Sequence, residues 1–268
     1  MEAVVNGIRL YYVQVGQGTP LLLIHGYPLD HALWQPQMDG LADAARIVVP
    51  DLRGFGQSDA PKGVYTMDGY ADDLIALMDT LPVERAVLCG LSMGGYIALA
   101  FWRKYASRVR ALILVDTRAG ADAPEARQAR LDMVEQVKQR GSAPAAEAML
   151  PRLLAESPRQ SRPNLVESVR AMMLRQKPVG IIGAQLGMAQ RPDSTSVLST
   201  ITVPTLAIFG AKDVITPAET EGRGLAAAVP GAKLVVIPNA GHLSNLEQPP
   251  AFNAAVREFL LTLGSRGV

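Results

Sequence analysis

Three observations in the sequence predict an α/β fold, a doubly wound and mostly parallel sheet with helices on both faces. Short runs of Val, Ile and Leu recur without polar alternation, and each stops at Gly, Asp or Pro. Unalternating runs mark strands covered on both faces, which is the condition of a parallel sheet. Helical patterns lie between these runs, as crossover connections require. A Gly-x-Ser-x-Gly sequence, Gly90 to Gly94, falls where a strand pattern gives way to a helical one.

The elements follow in order. Ile8 to Val15 reads as a strand, turned by Gly16-Gln17-Gly18-Thr19-Pro20. Leu21 to Ile24 is a buried strand stopped by His25-Gly26, and Ile47 to Val49 is another, ending at Pro50-Asp51. Met67 to Leu81 has helical spacing. Ala86 to Cys89 runs into Gly90, and a helix follows from Gly94 to Tyr105. Ala111 to Val115 meets Asp116, Leu206 to Phe209 meets Gly210, and Leu234 to Ile237 meets Pro238. Pro249 to Leu263 is the closing helix, and 264–268 read as a loose end.

The interval 118–200 shows several helical patterns and no strand. It reads as a helical insertion sitting on the sheet as a cap, between the strand that meets Asp116 and the strand at Leu206, with 1–117 and 201–268 forming the core. The cap holds five of the ten methionines, none of the Phe, Tyr or Trp, and a net charge of +4 against −3 elsewhere. A flexible, apolar roof over the pocket is expected from that composition, with many of the methionines serving simply as core of the cap.

Composition excludes several classes. With 26 Lys+Arg against 25 Asp+Glu in 268 residues, no global field favours nucleic acid or a membrane surface. Cys89 has no partner for a disulfide, and three histidines with one cysteine are too few for a soft-metal cluster. Gly16-x-Gly18 and Gly54-x-Gly56 lack the third glycine of a dinucleotide fingerprint. No cofactor or metal is therefore expected. No apolar run approaches the ~18 residues of a membrane helix, and the opening residues lack the pattern of a signal peptide. The expectation is a cytoplasmic protein acting on a small molecule, with its oligomeric state open.

The junction at Ser92 carries the chemistry. It follows a buried strand and opens a helix, the context in which a strained turn lifts a hydroxyl above a sheet. Gly90 and Gly94 flank it because side chains there would collide. The helix N-terminus beyond it can meet developing negative charge. Around this turn stand His25-Gly26-Tyr27-Pro28, Asp51-Leu52-Arg53-Gly54-Phe55-Gly56-Gln57-Ser58, Gly210-Ala211-Lys212-Asp213 and Asn239-Ala240-Gly241-His242. On these motifs, over nearly its whole length, the chain resembles the α/β-hydrolase family. More narrowly, it is similar to the serine carboxylesterase and 3-oxoadipate enol-lactonase branch, and the resemblance implies that 118–200 is the family's helical cap, inserted between the sixth and seventh strands of the fold.

The resemblance implies a triad of Ser92, Asp213 and His242, in the chain order of that fold. A serine hydroxyl needs a base to take its proton, and the base needs an acid to fix its tautomer. Asp116 also ends a strand and is the rival acid; the Gly-x-x-Asp turn favours Asp213. The backbone N–H groups of Tyr27 and Met93 are expected to form the oxyanion hole. Tyr27 either lends its hydroxyl to substrate or lines the entrance, and Trp34 is expected as pocket wall or core. His25 is expected to brace the oxyanion loop, Asp51 and Arg53 to pin neighbouring loops, and Cys89 to be a buried hydrophobe.

A serine at the elbow argues against the related dehalogenases and epoxide hydrolases, which place an aspartate there. The expected activity is hydrolysis of carboxylic esters of short to medium acyl chains. A lactonase is the alternative, and C–C hydrolases and perhydrolases share the same parts. A ligand sensor on the same fold is the alternative from another class.

Overall fold

The computed structural model describes residues 1–264, so the remainder of the expected loose end lies outside the described residues. Eight strands form one sheet: β1 (Glu2–Val5), β2 (Ile8–Val15), β3 (Pro20–Ile24), β4 (Arg46–Pro50), β5 (Ala86–Leu91), β6 (Val109–Val115), β7 (Thr205–Gly210) and β8 (Lys233–Ile237). Their spatial order is β1-β2-β4-β3-β5-β6-β7-β8. β1 and β2 pair antiparallel, as do β2 and β4; from β4 to β8 every pairing is parallel. β1 was not expected. Its four residues alternate between exposed and buried at the sheet margin, which leaves no apolar run to read.

Alternate residues of each strand serve opposite faces. Leu22, Ile24, Leu88 and Leu112 pack on one side with α2 (Met67–Thr80) and α3 (Met93–Tyr105). Leu21, Leu23, Val87 and Ile113 pack on the other with α1 (Gln35–Leu41) and α12 (Pro249–Gly264). This two-sided burial is why the strands read as continuous apolar runs.

Between β6 and β7 lie α4 (Pro124–Arg140), α5 (Ala143–Leu153), α6 (Glu156–Ser161), α7 (Pro163–Leu174), α8 (Pro178–Ala189) and α9 (Thr195–Leu198). Their apolar faces extend the two existing cores. Val137, Ile181 and Met188 join the α2–α3 side, while Leu153, Met172 and Met173 join the α12 side. After β7 come α10 (Arg223–Ala228) and, following β8, α11 (Ser244–Glu247). Among the described residues no helix is long and apolar enough to cross a membrane.

Candidate active site

β3 and β5 are neighbours although β4 separates them in sequence. Connections leaving such a pair diverge and open a crevice beyond the carboxyl ends of the strands. The loop after β3 brings Gly26 and Tyr27 to this crevice, and the turn after β5 brings Ser92. The two segments touch, since a Cβ added at Gly26 would lie 3.3 Å from Ser92 Cβ. Along the same edge, Asp116 follows β6, Asp213 follows β7 and His242 follows β8. Four adjacent parallel strands thus each deliver one polar residue to one edge.

Ser92 has φ 55° and ψ −113°, a conformation L-residues hold only under constraint. The constraint is steric. A Cβ on Gly90 would lie 2.2 Å from the Gly94 carbonyl oxygen, and one on Gly94 would lie 2.2 Å from that of Ile24. Ser92 N donates to Val115 O at 2.9 Å, and Thr117 Oγ1 donates to Ser92 O at 2.8 Å. Met93 opens α3, so its N–H belongs to the first turn, where backbone donors lack helical acceptors.

His242 is buried, and its Nδ1 lies 2.8 Å from Asp213 Oδ2. An ionised carboxylate only accepts, so Nδ1 carries the proton and Nε2 keeps its lone pair. Nε2 is buried with no hydrogen-bond partner among the described residues. Asp213 is secured from its own loop. Ile215 N and Thr216 N donate to Oδ1 at 2.7 and 3.1 Å, and Thr216 Oγ1 donates to Oδ2 at 2.5 Å. Burial opposes ionisation of Asp213, but His242 and these donors prevail and hold its carboxyl below the usual range.

Asp116 does not meet His242. Its Oδ1 accepts from Gly210 N at 2.7 Å and its Oδ2 from Ser244 Oγ at 2.6 Å. Burial, then the charge of Asp213, pushes its carboxyl well above the usual range. Asp116 therefore ties the end of β7 to the histidine loop. No hydrogen bond joins Ser92 Oγ to His242 Nε2 among the described residues. Catalytic bonds of this kind often close only around substrate.

Tyr27 is buried, its ring set edge-on to Phe55 at 6.3 Å. Its hydroxyl has no hydrogen bond within normal geometry among the described residues. Burial pushes the phenol up, and Gln185 and Arg130 of the cap act against it. Trp34 lies elsewhere. It is fully buried, packs on Phe252 at 6.1 Å, and belongs to the core between α1 and α12. The expectation of a pocket wall there gives way to core, because the short turn preceding α1 directs the indole to α12.

The bracing residues divide their work. Leu52 N donates to His25 Nε2 at 3.0 Å, so Nδ1 is protonated and donates to Gly26 O at 2.9 Å. Burial lowers the pKa of this ring and keeps it neutral. Asp51 holds His31, whose N and Nδ1 lie 2.7 and 2.8 Å from its Oδ1, while Arg53 pairs with Asp73. Asp30, His31 and Asp51 bring ligand atoms within 4.8 Å of one another, the spacing of a metal site. Protein donors occupy them: Arg175 makes two 2.7 Å bonds to Asp30, and Gln176 a third at 2.8 Å. They form a clasp between cap and core. Cys89 is buried and its thiol is pushed up by burial.

The cap is less apolar than its methionines suggested. Met172, Met173 and Met188 are absorbed into the cores. Nearby, Asp122 pairs with Arg130 at 2.5 Å and with Arg191 at 2.8 Å, and Arg130 donates to Gln185 Oε1 at 3.1 Å. α8 is seated by contact between backbones. A Cβ on Gly180 would lie 1.8 Å from Gly54 O, and one on Gly187 would lie 1.7 Å from Tyr65 O.

Thr117, Thr216 and Glu247 were missed in the sequence. Thr216 had a local signal, a hydroxyl three residues past the acid in Asp213-Val214-Ile215-Thr216. Glu247 had only its position five residues after His242.

Strand order, elbow and histidine–aspartate pair define a hydrolase of the doubly wound class. The chain belongs to the alpha/beta hydrolase fold family, whose model matches residues 19–249. It is 31% identical over 251 residues to 3-oxoadipate enol-lactonase 2 of Acinetobacter baylyi, covering 93% of this chain and 92% of that protein. A thermophilic esterase from Thermogutta terrifontis superposes with a TM-score of 0.94 at 45% identity, covering 98% of this chain and 97% of the other. The enol-lactonase of Burkholderia xenovorans LB400 superposes at 0.91 with 32% identity, covering 97% and 100%.

Proposed function

We propose that the protein is a serine hydrolase cleaving carboxylic esters of short to medium acyl chains. The observation that carries this reading is the buried His242, oriented by Asp213 with Nε2 free, on the same sheet edge as the strained Ser92. Ser92 Oγ attacks the ester carbonyl while its proton passes to His242 Nε2. The oxyanion is met by the N–H groups of Tyr27 and Met93, whose positions cost no reorganisation during reaction. Collapse breaks the bond to the leaving oxygen, which takes the proton from His242. Water then attacks the acyl-enzyme with His242 as base, and the free acid departs. The likeness to the Thermogutta terrifontis esterase supports an ester substrate.

A second reading, lactonase, is favoured by the likeness to the two enol-lactonases. It uses the same steps, with the leaving oxygen still tethered to the acyl group. The two are separated by kcat/KM on p-nitrophenyl acetate, butyrate, octanoate, palmitate and benzoate beside lactones of several ring sizes. Each buried methylene is worth about 0.8 kcal/mol, so kcat/KM is expected to rise about fourfold per carbon until the pocket is full. Palmitate or benzoate as the best substrate rules out this picture of the pocket.

A further inference from the structure

The loop that carries His242 leans on the cap, and the side chain of Glu247 bridges the two. Glu247 ends α11 and is fully buried. Its Oε1 accepts from Gly241 N at 2.8 Å, the residue just before His242. Its Oε2 accepts from Ala155 N at 2.8 Å, in the cap segment between α5 and α6. The same strip is closed by Leu243 N donating to Leu153 O at 3.1 Å and by Arg162 Nη2 donating to Glu247 O at 2.7 Å. The packing is tight enough that a Cβ on Gly241 would lie 2.6 Å from Ala155 N.

We infer that Glu247 is a positioning residue for His242, its ionised carboxylate coupling the seat of the cap at Ala155 to the placement of the base. The inference rests on His242 being the base. As a carboxylate, Glu247 accepts both N–H groups as charge-assisted bonds; once protonated, the hydroxyl oxygen is the poorer acceptor and the bond to it weakens. Burial raises this carboxyl to about 7, against the N–H groups of Ala155, Gly241 and Leu243 and the charge of Arg162. The titratable groups facing it are Arg162 from the cap and Asp116 from the end of β6. The two protonation states exchange near pH 7, and the ionised one makes both bonds.

The test is kcat and KM against pH for the wild type, Glu247→Gln and Glu247→Asp. At pH 8 the Gln variant is expected to lose about tenfold in kcat, with KM changed less than about threefold. Its acid limb should follow one proton where the wild type follows two. The Asp variant keeps the charge and should keep the steeper limb. Wild-type kcat and an unchanged profile in a folded Gln variant would overturn the inference. Where the Gln variant does not fold, amide exchange of Gly241 and Ala155 in the wild type decides. After correction for intrinsic rates, both protections should fall together between pH 5 and 8, because opening frees a carboxyl that ionises more readily in solvent, and constant protection would overturn the inference. Exchange involves no turnover, so it stands apart from the hydrolase assignment, which Ser92→Ala tests.

Discussion

The turn bearing Ser92 and the loop bearing His242 share one sheet edge and are held by different forces. The Ser92 turn is fixed by contact, with two glycines whose missing Cβ atoms make room for neighbouring carbonyls. The His242 loop is fixed by buried acids. Asp213 holds the ring, Asp116 holds Ser244, and Glu247 holds Gly241. Contact does not titrate; carboxyl groups do. The Ser92 turn is thus held without any titrating group, whereas the placement of His242 depends on the protonation of the acids around it.

Deleting either end removes the comparison altogether. Ser92→Ala and His242→Ala should each lower kcat by about 10⁶-fold in a folded protein, and the double variant should be scarcely worse. Asp213→Asn should cost about 10⁴-fold, because the amide leaves His242 in the wrong tautomer. Near-wild-type turnover in any of these, measured on p-nitrophenyl butyrate, would break the assignment. The steric side is sharpened by Gly94→Ala. A Cβ 2.2 Å from Ile24 O cannot be relieved by a side-chain rotation, so stability should fall by about 3 kcal/mol and the melting temperature by about 10 °C.

The charged side is sharpened by pH. Glu247 has its carboxyl raised from 4.5 to about 7 in the folded chain. Between those values the folded protein binds a proton that the unfolded chain has released. Stability contributed by this group therefore falls as pH rises through that window, by about 3 kcal/mol in all. Denaturation of Glu247→Gln at pH 5 and pH 7.5 should show a flatter dependence than the wild type. Asp213, with its carboxyl lowered, contributes stability that is fully present above the ordinary carboxylate value and is lost as pH falls through its folded value. The smallest effect is expected for Asp116→Asn. Asp116 is held toward its neutral form, which an amide resembles, and Ser244 Oγ can accept as readily as donate. A change in kcat beyond about threefold would move the acid role toward Asp116.

What was legible in the sequence follows the same division. The elbow could be read because its steric demand leaves a local trace, Gly90-x-Ser92-x-Gly94. The parallel strands could be read because burial on both faces leaves unbroken apolar runs. The ties could not. Glu247 meets Ala155 across 92 positions, and Asp116 meets Ser244 across 128, distances over which a single sequence carries no pattern. Trp34 was ambiguous for a related reason, since a buried indole and a pocket-lining one have the same residue type. The methionines of the cap suggested a soft roof, and the structure instead places three of them in the cores and sets Gln185 and Arg130 near Tyr27.

The seating of α8 bears on how the pocket could change its substrates. Gly180 and Gly187 lie against Gly54 and Tyr65 so closely that neither position can acquire a side chain without moving the helix. Diversification on α8 is therefore confined to its remaining faces, with Gln185 the polar position nearest Tyr27. The exposed positions of α4 and α6 are free to drift. A library aimed at new acyl preferences should leave the two glycines and the core positions 181, 184 and 188 alone and begin at Gln185.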